Sequence, residues 1–114
     1  MKKINDEREG VHDYNLDSLL TAEIRFFIMT ILAMYESANF NFLKKELNAS
    51  DGNLSVNLSK LEDAGYISSK KEFVGKKPRT TYKITALGLE KLSGHINKID
   101  SFKQLLDIKE RTNG

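Results

Sequence analysis

Residues 50–82 read SDGNLSVNLSKLEDAGYISSKKEFVGKKPRTTY, and this stretch decides the fold. Its first part predicts a short helix, because Ser50 can cap the free backbone N–H groups of the first turn and Gly65 can turn left-handed to end it. Three leucines recur at the spacing of one helical face: Leu54, Leu58 and Leu61. The stretch therefore begins with an amphipathic helix whose leucines point inward.

The second part of the stretch predicts a β-hairpin. β-favouring residues from Tyr66 to Val74 and from Thr80 to Ile84 flank a polar turn that contains Gly75 and Pro78. Basic side chains are concentrated here: Lys70, Lys71, Lys76, Lys77, Arg79 and Lys83. With the single Glu72, these six cations give residues 68–83 a charge of +5, larger than the +2 of the whole chain. This excess indicates either an anion-binding surface or a solvated hairpin whose lysines prevent edge pairing.

Two more helices are predicted ahead of this stretch. The first spans Thr21–Ser37, with Thr21 placed to cap it. It carries one apolar stripe and a second apolar face that includes Phe26 and Met29. That second face either packs under the last helix or contacts a second copy of the chain.

The other predicted helix lies within residues 39–48 and is capped by Asn39 or Asn41. Only three residues separate Leu47 from the capped helix that follows: Asn48, Ala49 and Ser50. This is the length of a tight turn between helices, so the two helices form a helix-turn-helix.

A long final helix is predicted over residues 86–108, with Thr85 as its cap. Its apolar residues follow a three/four spacing: Leu89, Leu92, Ile96, Ile99, Phe102 and Leu106. A domain this small cannot cover so long a stripe, so we expect part of it to pack on a second copy. Alternatively, this helix folds back entirely on the first helix. The predicted dimer interface comprises Phe26, Met29, Leu92, Ile96, Ile99, Phe102 and Leu106.

These elements place one domain at residues 16–108, between a flexible N-terminal arm at 1–15 and a frayed tail at 109–114. The chain of 114 residues is long enough for one domain only. It has neither a long apolar run for a membrane span nor the apolar segment of a signal peptide, so we expect it to be cytoplasmic.

Several classes of chemistry are disfavoured. The chain has no cysteine, which excludes disulfides and thiolate metal sites, and His12 and His95 lack the spacing of metal ligands. There is no G-x-S-x-G elbow and no close carboxylate pair, and GKKPRT at residues 75–80 lacks the strand-to-helix context of a phosphate loop. We therefore expect no catalytic residues, no metal and no cofactor.

The order of these elements resembles that of winged helix-turn-helix transcriptional regulators of the MarR/ArsR-like kind, in particular the small one-domain prokaryotic type. The resemblance covers roughly residues 21–99 and rests on a pattern of fixed spacings. The matching residues are Asp51, Gly52, Asn53, Leu54, Ser55, Leu61, Glu62, Ala64, Gly65, Tyr66, Ile67, Lys71, Phe73, Gly75, Lys76, Lys77, Pro78, Arg79, Thr80, Tyr82, Thr85 and Gly88. The resemblance implies an α+β fold, mainly helical, and a homodimer that binds a near-palindromic operator in duplex DNA.

In such a protein the helix of residues 51–64 would enter the major groove. At about 100° per residue, the inward leucines leave five positions pointing outward: Gly52, Val56, Ser59, Lys60 and Asp63. The candidate DNA contacts on this helix are Asn53, Ser55, Val56, Ser59 and Lys60. The hairpin of residues 70–83 would act as a wing on the backbone or minor groove, through Lys70, Lys71, Lys76, Lys77 and Arg79. Pro78 is expected to stiffen its tip.

Two other functions remain open at this stage. A winged-helix module can bind protein without binding DNA, although such modules often lack the positive charge that this hairpin keeps. A small-molecule effector between the first and last helices, near Phe26, Met29 and Tyr35, is a further possibility, but the sequence offers no convergent polar group there.

Overall fold

A computed structural model describes residues 15–113, with side chains up to residue 107. Within that range lie α1 (Glu23–Met34), β1 (Ala38–Asn39), α2 (Phe40–Leu47), α3 (Asp51–Asp63), β2 (Ile67–Val74), β3 (Lys77–Ile84) and α4 (Ala86–Asn113). The strands form an antiparallel sheet in the order β1–β3–β2. This architecture confirms the predicted α+β winged helix-turn-helix fold with a long C-terminal helix.

Helix α1 is shorter than predicted. The Thr21 hydroxyl does not cap it, because it donates to the carbonyl of Ser18 at 2.9 Å, and the N-cap position is held by Ala22, whose side chain makes no capping bond. At the other end the backbone becomes extended at Tyr35 and leads into β1, so the helix stops before Ser37. The predicted helix was therefore too long at both ends.

Helices α2 and α3 form the predicted helix-turn-helix. Asn39 caps α2 by accepting a hydrogen bond from the Phe42 backbone N–H at 2.8 Å, and Ser50 caps α3 by accepting one from the Asn53 N–H at 3.2 Å. Between the helices, Asn48 adopts the left-handed conformation, with φ of 49°. Asparagine tolerates this conformation better than most residues, so the tight turn follows directly from the sequence.

Gly65 and Thr85 hold the two ends of the hairpin together. Gly65 has φ of +78° and ends α3, with the Tyr66 N–H donating to the carbonyl of Leu61 at 3.0 Å. Thr85 caps α4 as predicted: its Oγ1 accepts from the Gly88 N–H at 3.0 Å and donates to the Gly65 carbonyl at 2.6 Å. The hairpin is thus tied to both flanking helices at its base.

Strands β2 and β3 pair along their whole length, in a register that places Val74 opposite Lys77. The loop between them consists of Gly75 and Lys76, and Gly75 has φ of +66°, as the first loop residue of a type II′ turn requires. Pro78 lies inside β3 rather than in this loop. The prediction that Pro78 lies in the turn was therefore wrong.

The hydrophobic core surrounds α1, which contacts α2, α3, β3 and α4. Its fully buried side chains come from every layer of the fold: Leu20, Ile28, Met29, Leu32, Leu43, Leu54, Leu61 and Ile67. The face of α1 that carries Ile28, Met29 and Leu32 is thus enclosed by the chain itself. The three leucines of α3 pack onto it, which sets the orientation of α3.

Helix α4 continues to Asn113, beyond the predicted boundary at residue 108. Its 28 residues would measure about 42 Å at 1.5 Å per residue, and the longest extent of the molecule is 65 Å. Leu92 and His95 are buried, whereas most of its later side chains are exposed. No helix in the described range is both long and apolar enough to cross a membrane. Of the predicted N-terminal arm, residues 1–14 lie outside the described residues, as does residue 114 of the predicted tail.

Candidate nucleic-acid interface

Helix α3 has one buried face and one open face. Its inward leucines are 0–2% exposed, while the opposite ridge is exposed at every predicted position: Gly52, Val56, Ser59, Lys60 and Asp63. The flanking side chains of Asn53 and Ser55 are exposed as well. The predicted orientation of α3 is therefore confirmed, and the DNA contacts assigned to this ridge stay a prediction.

A buried asparagine, which the sequence analysis missed, anchors α3 to α1. Asn57 is 6% exposed, and its Oδ1 accepts a 2.7 Å hydrogen bond from Arg25 Nη1. Its Nδ2 donates to the carbonyl of Asn53 at 2.8 Å and to Asn53 Oδ1 at 3.0 Å. The sequence does indicate this position, because a rotation of 100° per residue places residue 57 on the same inward side of the helix as the leucines.

The hairpin stands against one flank of α3. Ser69 in β2 donates a 2.5 Å hydrogen bond to Glu62 Oε2 on α3. Glu62 lies on the same flank of the helix as Ser55, so the base of the hairpin packs against that flank of α3. Burial, and next the charge of Glu62, raise the pKa of the Tyr82 phenol, which lies between the hairpin and α3.

The strand register divides the hairpin into two faces. Side chains alternate along each strand, and paired residues share a face. The face that bears Ser69, and hence lies toward α3, continues with Lys71, Phe73, Pro78 and Thr80. The other face carries Lys70, Glu72, Val74, Lys77 and Arg79.

The predicted cations of the hairpin are therefore distributed over its whole free end. Lys71 lies toward α3, Lys76 occupies the turn, and the remaining three lie on the far face: Lys70, Lys77 and Arg79. All five side chains are exposed. Lys70 pairs with Glu72 at 3.2 Å, an exposed ion pair of little energetic weight. The result is a positive tip rather than a single positive face.

The predicted dimer residues fall into two groups. Met29 and Leu92 are 0% and 4% exposed inside a single chain, so they have no surface left for a partner. Phe26 is half-buried, and its ring centroid lies 5.7 Å from that of His95 on α4. This position corresponds to the predicted alternative in which Phe26 packs under the last helix. Phe102 is half-buried, whereas Ile96, Ile99 and Leu106 are 45–63% exposed. Among the predicted dimer residues, these four on α4 keep the exposed surface that a second copy would need.

Metal chemistry finds no support in the described residues, where no group of three or more His, Asp or Glu side chains could hold a metal ion. The buried His95 has an Nδ1 atom without a hydrogen-bond partner, and its ring lies against Phe26. The His95 side chain lines an open cleft of about 350 Å³, whose apolar lining comes from Leu16 and Leu20 before α1, Phe26 and Phe27 on α1, and Ile99 on α4.

Comparison with known proteins agrees with this geometry. Residues 24–103 match the family model described as a winged helix DNA-binding domain. The chain is 35% identical over 81 residues to the uncharacterized protein MJ0432 of Methanocaldococcus jannaschii, an alignment that covers 71% of this chain and 88% of the relative.

Solved structures share the fold. A transcriptional regulator homologue from Pyrococcus horikoshii superposes with a TM-score of 0.74 at 27% identity, over 80% of this chain and 90% of that one. MarR superposes with a TM-score of 0.67 at 16% identity, over 78% of this chain and 64% of MarR, which confirms the MarR-like resemblance at the level of the fold. On these grounds the chain belongs to the family of winged helix DNA-binding domains and has the fold of winged-helix transcriptional regulators.

Proposed function

We propose that this protein regulates transcription as a homodimer that binds specific sequences in duplex DNA. In this proposal α3 enters the major groove and the β2–β3 hairpin lies on the adjacent backbone or minor groove. The observation that carries it is the open polar ridge of α3, which stands over buried leucines and beside a hairpin with a charge of +5. A major groove of about 12 Å admits one α-helix, so a ridge of this kind can reach base edges.

The ridge offers chemically distinct contacts. Ser55 and Ser59 can donate to or accept from bases and phosphates, Val56 can touch a thymine methyl group, and Lys60 can reach guanine or phosphate. Asn53 already accepts a hydrogen bond from Asn57 through its Oδ1, which leaves its own Nδ2 as the group to present to a base acceptor. Position 52 has open space where a side chain would begin, so DNA backbone can approach α3 closely there.

The positive tip of the hairpin would supply affinity that is independent of sequence. Each phosphate that a lysine or arginine neutralises releases counterions, so binding should weaken steeply as salt rises. The same charge argues against the alternative of a winged helix that binds only protein, because a protein surface would have to supply matching acidic groups to so concentrated a patch.

Dimerisation is supported by an exposed apolar stripe on α4. Ile96, Ile99 and Leu106 form this stripe, and each is 45–63% exposed among the described residues. In a two-fold dimer this stripe would pack on its own copy, and the two α3 helices would then address half-sites about one helical turn apart, about 34 Å. Operator symmetry would mirror the symmetry of the protein.

Selection of bound sequences from random duplex DNA tests the proposal. We expect the full chain to enrich two related half-sites at a spacing near one turn, with binding that weakens as salt rises. The double variant Val56→Ala/Ser59→Ala should enrich altered or degenerate half-sites, while the control Ser93→Ala, exposed on α4, should select the same sequences as the wild type. If no sequence is enriched and no salt-sensitive binding to duplex DNA occurs, the proposal fails.

A further inference from the structure

Phe73 is the most exposed large apolar side chain in the described part of the chain, at 75%. It sits in β2 next to the Gly75–Lys76 turn, and its neighbour Val74 is also exposed, at 52%. Nothing in the fold requires an aromatic residue at this position, because its side chain contributes no burial to the core. A phenylalanine at the free end of a lysine-rich hairpin therefore calls for a partner outside the chain.

The hairpin register shows where Phe73 points. Phe73 shares a face with Ser69, whose hydroxyl is bonded to Glu62 on α3. Phe73 is four residues from Ser69 along β2, which corresponds to about 13 Å. It therefore lies about 13 Å closer to the turn than the contact with α3, on the same hairpin face as that contact. Half the width of a major groove is about 6 Å, so with α3 in the groove a hairpin that extends across the groove edge would carry Phe73 past the bordering backbone to the neighbouring minor groove.

The surroundings of Phe73 fit nucleic acid. Its cross-strand neighbour on the same face is Pro78, which adds a second apolar surface and no hydrogen-bond donor. Lys71 lies on the same face as this apolar pair and Lys76 in the adjoining turn, while Lys77 and Arg79 project from the opposite face of the hairpin. An apolar pair at a positively charged hairpin end matches a minor groove, where phosphates line both edges and apolar side chains can enter between base steps.

We propose that Phe73, supported by Pro78, enters the minor groove beside the α3 site and partly unstacks one base step there. This inference rests on the proposed function and adds a specificity-determining residue to it. The unstacking would favour flexible pyrimidine–purine steps such as TA at a position that α3 never touches. Phe73 thereby reads the deformability of the flanking DNA, while the ridge of α3 reads base edges.

The test uses the full chain and the duplex selected by the wild type, with 2-aminopurine placed in turn at each step of the minor groove that flanks a half-site. Four proteins are compared: the wild type, Phe73→Ala, Phe73→Leu, and the control Met34→Ala. Met34 is 70% exposed on α1, so this control removes a comparably exposed apolar side chain from a different element. Thermal unfolding of each variant verifies that the fold is intact.

We expect the wild type to raise 2-aminopurine fluorescence at one flanking step and to prefer TA over GC there. Phe73→Ala should lose the fluorescence change and the step preference and should bind about tenfold less tightly, with an unchanged salt slope because no charge is removed. Phe73→Leu keeps an apolar wedge and should retain most of each effect, and Met34→Ala should behave as the wild type.

Three results would overturn the inference, and they are distinguishable from a failure of the proposed function. If Phe73→Ala binds as tightly as the wild type, Phe73 makes no contact that matters for DNA. If affinity falls but no step unstacks in the wild type, Phe73 rests on the DNA surface and is no wedge. If Phe73→Ala changes self-association and leaves DNA binding intact, the tip is a protein contact. In all three cases Val56→Ala/Ser59→Ala would still impair specific binding, whereas a wild type that binds no duplex DNA refutes both proposals.

Discussion

Arg25 donates a 2.7 Å hydrogen bond from Nη1 to Asn57 Oδ1 and so joins α1 to the buried side of α3. The Arg25 Nε also donates to the Leu19 carbonyl at 2.8 Å, and Asn57 in turn donates to Asn53 Oδ1 at 3.0 Å. A continuous chain of hydrogen bonds therefore runs from the segment before α1 to the outward flank of α3. It orients α3 through groups that lie behind the proposed DNA surface.

This relationship predicts that Asn57→Ala destabilises the protein. The substitution leaves a guanidinium N–H and an asparagine side chain without their partner in a partly buried setting, which typically costs about 1–3 kcal/mol in the free energy of unfolding. Urea unfolding measures this loss. Ser59→Ala, on the exposed ridge of the same helix, is the control and should change the free energy by no more than about 0.5 kcal/mol. Equal stability of Asn57→Ala and the wild type would refute the anchoring role.

Replacement of glycine by alanine should have opposite effects on stability at two positions of α4. A Cβ at Gly88 would lie 2.0 Å from the Tyr66 carbonyl oxygen, whereas a Cβ at Gly94 would meet nothing within 4 Å. Gly88→Ala should therefore cost about 2 kcal/mol or more, because the backbone of Tyr66 cannot move aside without disturbing the base of the hairpin. Gly94→Ala should raise stability by about 0.5–1 kcal/mol, because alanine favours a helix interior. Thermal and urea unfolding compare the two, and a stable Gly88→Ala variant would contradict the close approach of α4 to the hairpin.

Removal of the hairpin cations should weaken binding to every DNA sequence. In the triple variant Lys76→Ala/Lys77→Ala/Arg79→Ala, the slope of log affinity against log salt should become shallower by about 0.9 for each phosphate that the hairpin no longer neutralises. Fluorescence anisotropy at several salt concentrations gives this slope. Lys91→Ala/Lys103→Ala removes two exposed cations from α4 as the control, and its slope should match that of the wild type. An unchanged slope in the triple variant would show that the hairpin does not touch phosphates.

The exposed stripe of α4 predicts how the proposed dimer can be broken. Ile96→Glu/Ile99→Glu places two like charges where a second copy would pack, so the protein should become monomeric in light scattering after size exclusion. Both side chains are 45% exposed in the single chain, so each chain should stay folded by circular dichroism. Ser93→Glu/Asn97→Glu adds two charges at exposed positions on the other side of the same helix and serves as the control. A dimer that survives the isoleucine substitutions would place the interface elsewhere.

Ionisation of the Tyr66 phenol should destabilise the protein at high pH. Tyr66 donates a 2.6 Å hydrogen bond to Asp17 Oδ2, and burial, this bond and the charge of Asp17 raise the pKa of Tyr66 to about 12. The pKa of Tyr66 is therefore higher in the folded protein than in the unfolded chain, where it is about 10. The protonated phenol contributes fully to the free energy of unfolding below pH 10, and this contribution is lost between about pH 10 and 12.

The variant Tyr66→Phe isolates this effect from the titration of the lysines. In this range the wild type should lose up to about 1.4 kcal/mol per pH unit more than Tyr66→Phe does, so the difference in unfolding free energy between the two should narrow toward pH 12. Urea unfolding at each pH measures that difference. A difference that stays constant from pH 9 to 12 would show that the phenol titrates alike in the folded and unfolded chain.

Much of the fold could be predicted because its signals are local. Ser50 and Asn39 cap helices wherever a helix begins after them, and Gly65 permits the left-handed turn that most residues avoid. The leucines of α3 repeat at one helical spacing, so the direction of its exposed ridge follows from geometry alone.

The features that sequence reasoning missed depend on contacts between distant residues. β1 contains only Ala38 and Asn39 and exists because β3 lies beside it, so no periodicity indicates it. The division of the hairpin cations between two faces depends on the register, which follows from a loop at Gly75 and Lys76 instead of at Pro78. The role of Asn57 required Arg25, 32 residues away in the chain, as its partner.

The ridge of α3 stands on leucines that never reach the surface, and its own side chains at 55, 56 and 59 take no part in the core. If α3 reads DNA as proposed, a lineage that carries this scaffold can exchange one target for another through a few replacements, without refolding the domain. Under the same proposal, these three positions are the ones to randomise when a new DNA target is sought.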